Sequence, residues 1–309
     1  MVQRRGQAIA RSYMQPVDLD SQRRYKSVIS RLESIPPLPA SAQTVLSILS
    51  KDPKNIIELE QAIRHDPSLA SQLLKMANCA LYAPRVEIDT VHRAIVFLGL
   101  SEVCNLALGL SILGVFRGGS SQPGLRARDF WIHSVATGIL ARMIALELEE
   151  EDTEIFFTAG LLHDLGRMAM CTCLKHEWEK VVAIALEAEQ PLTWAERQTG
   201  VSHTVIGAWL AKRWNLPKIF VKAIFSHHLG PGNPKFNHVG AVVYLADYLA
   251  HVSGMGLLNA PNPVKSKIIY YLGLSEEFVE YMVEQLSEME DLTESVADLM
   301  LLFGPQQGA

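Results

Sequence analysis

The sequence predicts an all-helical protein. Apolar residues recur at helical spacing along most of the chain, and prolines and glycines end these segments at short intervals. Alternating patterns typical of strands are scarce. Of the 309 residues, 49% are hydrophobic and 20% are charged, a balance typical of folded chains with a large core. We therefore predict an N-terminal helical subdomain packed on a second helical core.

The N-terminal helical subdomain is predicted over residues 21–117, and we interpret residues 1–20 as a mobile leader. Asp66 and Pro67 are typical of a helix start, because aspartate caps free N–H groups and proline suits the first helical position. Gly99 is typical of a helix end. Helices are predicted over residues 21–34, 40–49, 56–64, 90–98 and 101–116, with one more beginning at residue 67.

A glycine-rich stretch, Gly118–Gly124, predicts a linker to the second helical core. We place that core at residues 125–258 and expect C-terminal helices within residues 263–309. Helices of the core are predicted over residues 128–148, 154–163, 173–188, 193–198, 203–214, 217–228 and 238–252. Amphipathic patterns predict the C-terminal helices over residues 264–272 and 275–302.

Charge and composition argue against several functional classes. A net charge of −5 and a pI near 6.1 give no basis for a nucleic-acid-binding surface. Sparse cysteine usage suggests a reducing compartment, and no secretory signal is apparent. Residues 94–116 are long enough to span a membrane, but Glu102 would be costly in lipid. A buried helix pair is the preferred interpretation, and no membrane span is predicted.

Side chains that can bind a metal concentrate in the second helical core. Six of the ten histidines lie between residues 133 and 228. Histidine and carboxylate ligands suit iron, manganese or zinc. Asp247 lies among apolar residues, where an unpaired carboxylate is costly to bury, so it needs a cation or a histidine as partner. The candidate ligands are Asp129, His133, His163, Asp164, His203, His227, His228 and Asp247.

Each candidate ligand also has an ordinary structural explanation when it is taken alone. Asp129 and His133 lie four residues apart and would share one helix face, as packing residues also do. His251 follows Asp247 by four residues and could simply pair with it. On the residues alone, a metal site and a hydrogen-bonded packing cluster stay open as alternatives.

Several motifs over residues 24–250 resemble, in the same order, those of the HDOD domain. In the N-terminal half they are Ile35–Pro39, His65–Leu69, Leu73–Asn78 and Leu98–Leu100. In the second half they are Phe130–Ser134, Gly160–Gly166, the His203 region, Trp214–Pro217 and the His227-His228 pair. The resemblance implies a bacterial, cytoplasmic protein of signalling and regulation. It also implies an N-terminal helical subdomain packed on a helical core like that of the HD phosphohydrolases.

The resemblance further implies roles for single residues. The metal positions of the HD superfamily fall on His133, His163, Asp164 and Asp247. The related HD-GYP phosphodiesterases add positions that fall on His203, His227 and His228, and Asp129 stands where they commonly have glutamate. Arg167 stands where HD enzymes place a lysine near the substrate phosphate, and arginine keeps the positive charge. The implied cofactor is one or two divalent ions of iron, manganese or zinc.

Two functions are compatible with this resemblance. The first is a regulatory module that acts through signalling-protein partners, with any metal serving as a structural clamp. The second is a metal-dependent phosphohydrolase or (cyclic di-)nucleotide phosphodiesterase, in which Asp164 and Arg167 act on a phosphate-containing or nucleotide ligand. The loop Leu229–Pro234 lacks the substrate-recognition signature of HD-GYP enzymes, which favours the first. Solvent access to the site distinguishes the two functions. A closed site fits the regulatory module, and an open pocket fits the hydrolase.

Overall fold

The structure, a computed structural model, describes residues 27–49, 55–78, 82, 84–116, 127–258 and 266–288. Within these ranges the chain forms helices joined by short connections and contains no strand. The predicted all-helical fold is therefore confirmed. The proposed leader, the linker Gly118–Gly124 and the end of the last predicted helix lie outside the described residues.

The N-terminal subdomain opens with a helical segment over residues 27–32. Its helices are α1 (Ala40–Leu49), α2 (Ile56–Arg64), α3 (Pro67–Ala77), α4 (Val91–Leu98) and α5 (Leu100–Gly114). Asp66 caps α3 by accepting a hydrogen bond from the backbone N–H of Leu69, as its sequence position predicts. Gly99, at φ 90°, separates α4 from α5. None of the described helices combines the length and apolar character that crossing a membrane requires.

The second core consists of eight α-helices and a π-helical segment, His251–Met255. The helices are α6 (Ala127–Glu147), α7 (Thr153–Leu162), α8 (Leu165–Cys173), α9 (Lys175–Ala188), α10 (Leu192–Thr199), α11 (His203–Arg213), α12 (Lys218–Ser226) and α13 (His238–Ala250). The C-terminal helices are α14 (Ser266–Leu272) and α15 (Glu276–Glu288). Helices α6, α7 and α13 pack on one another, and α11 lies between α8 and α12.

The N-terminal subdomain packs on the second core mainly through α5, which lies against α7. Polar contacts reinforce this packing near the start of the described chain. Arg213 donates hydrogen bonds to the carbonyl oxygens of Leu32 and Glu33, each at 3.0 Å. Trp214 Nε1 donates to the carbonyl oxygen of Pro36 at 3.1 Å. Buried apolar side chains of both parts form one continuous cluster, so the predicted arrangement is observed.

Two elements differ from the sequence prediction. Helix α8 lies where no helix is predicted, because Gly166 in its first turn and Cys171, Thr172 and Cys173 at its end are weak helix formers. The helix expected to continue to residue 252 ends at Ala250 and gives way to the π-helical segment. Gly254 within that segment has φ 80°, which a residue with a side chain rarely adopts.

The close approach of α8 and α11 depends on two facing glycines. A Cβ atom added to Gly166 would lie 1.9 Å from the carbonyl oxygen of His203. A Cβ atom added to Gly207 would lie 2.9 Å from the backbone nitrogen of Gly166. Backbone atoms cannot swing aside as side chains can, so only glycine fits here. This contact brings the start of α11 against the start of α8.

We expect Gly166→Ala to destabilise the protein by about 3 kcal/mol or more, because backbone must move to admit the methyl group. Gly109→Ala on α5 is the matched control, since its added Cβ would meet only the side chain of Leu161. Both changes favour a helix by about 1 kcal/mol, so the difference between them reports the clash. Urea unfolding followed by circular dichroism measures both, and equal free energies of unfolding would contradict the argument.

Candidate metal centre

Seven of the eight candidate ligands converge on one place in the second core. They are His133 on α6, His163 and Asp164 between α7 and α8, His203 at the start of α11, His227 and His228 after α12, and Asp247 on α13. Six of these side chains are no more than 1% exposed, whereas His228 keeps 14% exposure. The cluster is therefore part of the protein interior.

The His163-Asp164 junction is fixed by the helices on either side. Every residue of Phe156–Leu162 is buried, so the end of α7 is anchored in the core. The backbone N–H of Arg167 donates to the carbonyl oxygen of Asp164 at 2.8 Å, which forms the first turn of α8. A two-residue junction between two buried helices leaves its side chains little freedom.

A first group of ligand atoms surrounds His133. Its Nε2 atom lies 3.2 Å from His163 Nε2, 3.2 Å from Asp247 Oδ1 and 3.7 Å from Asp164 Oδ2. His163 Nε2 lies 3.5 Å from the same Asp164 oxygen. His133, His163 and Asp164 thus offer three ligand atoms within 4.8 Å of one another.

A second group lies on the other side of Asp164. His203 Nε2 is 3.1 Å from His227 Nε2 and 3.3 Å from Asp164 Oδ1. His203, His227 and His228 offer ligand atoms that lie within 4.8 Å of one another. Asp164 therefore directs one carboxylate oxygen to each group, and the two groups form one continuous site.

The inward-facing histidines have their Nε2 lone pairs directed at one another. The Nδ1 atoms of His133, His163 and His227 lie 3.1, 2.6 and 2.9 Å from the carbonyl oxygens of Met255, Gly160 and Ile224. A carbonyl oxygen only accepts hydrogen bonds, so each of these Nδ1 atoms carries a proton. In a neutral ring the Nε2 atom is then an acceptor, and acceptors that face each other at about 3 Å in a buried core suit a cation between them.

Burial and neighbouring charge favour the metal-binding protonation states of His133, His227, His228 and Asp164. Burial lowers the pKa of His133 to about 4 and those of His227 and His228 well below the usual value. Burial opposes ionisation of Asp164, but the guanidinium group of Arg167 holds its pKa well below the usual range. Neutral imidazoles and ionised carboxylates are the forms that coordinate metals.

The donor set and its spacing fit a divalent metal. Bonds of about 2.0–2.1 Å from zinc to imidazole nitrogen or carboxylate oxygen place neighbouring ligand atoms about 3 Å apart. The two Nε2–Nε2 distances are 3.2 and 3.1 Å. Asp164 Oδ1 is buried and accepts no hydrogen bond from the described residues, so a cation would satisfy it. His133, His163, Asp164, His203, His227, His228 and Asp247 could hold one or two ions.

Two further predicted site residues have different surroundings. Asp129 is half-buried one turn before His133 and does not belong to the ligand groups formed by the described residues, so its role stays a prediction. Arg167 is 2% exposed, and its Nη1 atom donates to Asp164. Its Nε atom lies 3.5 Å from Glu196 Oε1. The guanidinium group thus lies between two carboxylates of the protein, with a hydrogen bond from Nη1 to Asp164 and none from Nε to the described residues.

Sequence reasoning did not assign Glu196 or His251 to the site. Glu196 is 4% exposed and contacts His203, but Gly200 ends the helix between them, so helical spacing does not relate the two residues. His251 Nδ1 lies 3.1 Å from Asp247 Oδ1, which confirms the pairing suggested by their four-residue spacing. Burial opposes the charge on His251, but Asp247 nevertheless raises its pKa. His133, Asp247 and His251 also offer ligand atoms that lie within 4.8 Å of one another.

Comparison with known proteins identifies relatives of this arrangement. Residues 35–229 match the family model of the HDOD domain. An HDOD domain protein of unknown function from Geobacter sulfurreducens has a TM-score of 0.76 and 24% identity, over 89% of this chain and 96% of that one. A candidate signal transduction protein from Marinobacter aquaeolei has a TM-score of 0.75 and 24% identity, over 91% and 66%. A candidate phosphohydrolase from Shewanella amazonensis has a TM-score of 0.69 and 19% identity, over 88% and 97%. These similarities show a shared fold.

Two curated relatives are much longer than the region they share with this chain. A protein of uncharacterised function from Treponema pallidum is 25% identical over 213 residues, which span 68% of this chain and 40% of that protein. A ribonuclease Y from Staphylococcus epidermidis is 30% identical over 176 residues, which span 57% of this chain and 25% of that enzyme. The similarity therefore concerns only part of each relative.

Acid is expected to destabilise the metal-free protein. Because burial lowers the pKa of His133 from 6.5 to about 4, the unfolded chain binds more protons between these values. The stability that neutral His133 provides is complete above pH 6.5 and is lost as the pH falls toward 4, by about 3 kcal/mol. Urea unfolding at a series of pH values measures this slope.

His133→Gln should flatten the acid dependence, because the residue that gains a proton on unfolding has been removed. His65→Gln is the control, since His65 is an exposed histidine of the N-terminal subdomain. Identical slopes for the parent and His133→Gln would show that His133 does not contribute to the acid sensitivity.

Proposed function

The chain belongs to the HDOD domain family, and from that premise we propose that it is a bacterial, cytoplasmic regulatory module built around a buried divalent-metal centre. In this function the metal is a structural clamp that joins distant helices, and the outer helical surface binds signalling proteins. The similarity to a candidate signal transduction protein of Marinobacter aquaeolei supports this assignment.

The main support for this proposal is that the candidate ligands are buried. Apart from His228, the clustered ligand side chains are at most 1% exposed, so a phosphate ester has no open path to them. Arg167, the residue suited to hold a substrate phosphate, is 2% exposed, pairs with Asp164 and lies 3.5 Å from Glu196. A catalytic arginine must be free to meet developing charge on the substrate. A clamp, in contrast, benefits from full enclosure by protein ligands.

The clamp would draw its ligands from both groups described above. One ion would be held by His133, His163, Asp164 and Asp247, and a second by Asp164, His203, His227 and His228. Histidine and carboxylate ligands suit iron, manganese or zinc, and Asp129 is an additional candidate. Such an ion supplies Lewis acidity when bound. The ligand side chains come from separate helices and would hold these helices together around the ion. Loss of the ion would release helices from five parts of the chain.

Metal-dependent hydrolysis of a phosphodiester or nucleotide is the second candidate function. It is supported by the nearly complete ligand set, by the similarity to ribonuclease Y and by the candidate phosphohydrolase of Shewanella amazonensis. His228 is the clustered ligand with appreciable exposure, and it marks the side from which a small ligand would have to enter. In this alternative Asp164 and Arg167 would be the catalytic residues.

Protein purified without added metal or chelator is expected to contain stoichiometric iron, manganese or zinc. His163→Ala combined with Asp164→Ala should abolish this metal, because it removes ligands from both groups. His65→Ala combined with Asp89→Ala is the matched control, since both residues are exposed in the N-terminal subdomain. Elemental analysis measures the content. A parent without metal, even after reconstitution, would contradict the proposed clamp.

Bound metal is also expected to raise the unfolding free energy by about 2.7 kcal/mol when free metal is at one hundred times its Kd. The metal-loaded parent should hydrolyse nucleotides, cyclic dinucleotides, single-stranded RNA and bis(p-nitrophenyl) phosphate no faster than the double variant. Turnover that requires His163 and Asp164 would overturn the regulatory assignment in favour of the hydrolase.

A further inference from the structure

Glu196 is a buried carboxylate that lies beside the candidate metal centre. Its side chain is 4% exposed, and a buried carboxylate is costly unless polar groups surround it. Its Oε2 atom accepts a hydrogen bond from the backbone N–H of His203 at 3.1 Å. Both carboxylate oxygens also lie within hydrogen-bond distance of His203 Nδ1, at 2.8 and 2.6 Å. All of these contacts are with His203, one of the candidate metal ligands.

The first contact fixes where α11 begins. The first N–H groups of a helix lack partners within the helix, and a side chain commonly caps them. Ser202 occupies the capping position of α11, but its side chain makes no cap hydrogen bond. The carboxylate of Glu196 takes that place from α10, and its negative charge suits a helix N-terminus. The position of His203 in the core thus depends on Glu196.

The second contact fixes the tautomer of the His203 ring. A carboxylate can only accept, so Nδ1 carries the proton and Nε2 presents its lone pair to His227 Nε2 and Asp164 Oδ1. The corresponding acceptors for His133, His163 and His227 are backbone carbonyl oxygens. A charged acceptor forms the stronger hydrogen bond and makes the imidazole a better metal ligand.

A third contact extends the influence of Glu196 to Asp164. Arg167 lies between the two carboxylates, with Nη1 on Asp164 and Nε 3.5 Å from Glu196 Oε1. Asp164 contributes an oxygen to each ligand group, so its orientation affects both. The chain Glu196–Arg167–Asp164 therefore holds the residue that joins the two groups.

We infer that Glu196 is a positioning residue of the metal centre, which orients His203 directly and Asp164 through Arg167. This inference rests on the proposed metal centre. It assigns Glu196 no contact with the metal, because its two oxygens are already used by His203 and Arg167. Its effect should appear as metal affinity and as a change in the hydrogen bond at His203 Nδ1.

The test uses the full chain loaded with zinc, which is diamagnetic, and labelled with 15N at histidine. Glu196→Gln keeps the shape and one acceptor oxygen but removes the charge. It is expected to weaken zinc binding by about 10–100-fold in a chelator competition. The Nδ1–H resonance of His203, assigned with His203→Gln, should shift upfield because the hydrogen bond loses its charged acceptor. Glu187→Gln, an exposed glutamate on α9, is the control and should change neither quantity.

The possible results distinguish a failure of the positioning role of Glu196 from a failure of the metal centre on which it rests. A parent that binds no zinc overturns the metal centre, and the positioning role falls with it. A parent that binds zinc no more tightly than Glu196→Gln overturns the positioning role alone. The histidine spectrum of the parent is a test that needs no variant of Glu196. A His203 ring protonated at Nε2 instead of Nδ1 would also overturn the role.

Discussion

The structure depends on hydrogen-bond acceptor atoms that face one another in a buried core. The Nδ1 atoms of His133, His163 and His227 donate hydrogen bonds to backbone carbonyl oxygens, and Nδ1 of His203 donates to Glu196. The Nε2 atoms of all four rings therefore face the same place. Asp164 and Asp247 add ionised oxygens beside them. Such an arrangement is stable only if positive charge lies among the acceptors. Arg167 provides some of this charge from the edge, and a divalent ion at the centre would complete it.

The rest of the second core keeps these acceptors in place. The α7–α8 junction has apolar helices on both sides, and the facing glycines Gly166 and Gly207 let α11 approach it closely. The π-helical segment after α13 presents the carbonyl oxygen of Met255 to His133. π-Helical turns are uncommon and often occur near functional sites.

Local chemistry in the sequence predicted a large part of this structure. A helix start such as Asp66-Pro67 can be predicted because the capping side chain bonds to a backbone N–H only three residues away. The clustered ligands are visible because histidine and aspartate are conspicuous in apolar surroundings, and the family resemblance relates their positions. Helix α8 was not predicted because Gly166 in its first turn and the cysteines and threonine at its end are weak helix formers. The role of Glu196 was not predicted because its hydrogen bond to His203 crosses the end of a helix and forms only when the chain is packed.

The clustered ligands extend from His133 to Asp247, so they are made at widely separated times during synthesis of the chain. The first ligand group lacks one of its carboxylates until α13 has emerged from the ribosome and packed on α6. Helices generally form quickly, but contacts between distant residues form late. Metal capture would therefore follow almost complete folding of the second core. A bound ion would then distinguish finished molecules from incomplete ones before any partner is engaged.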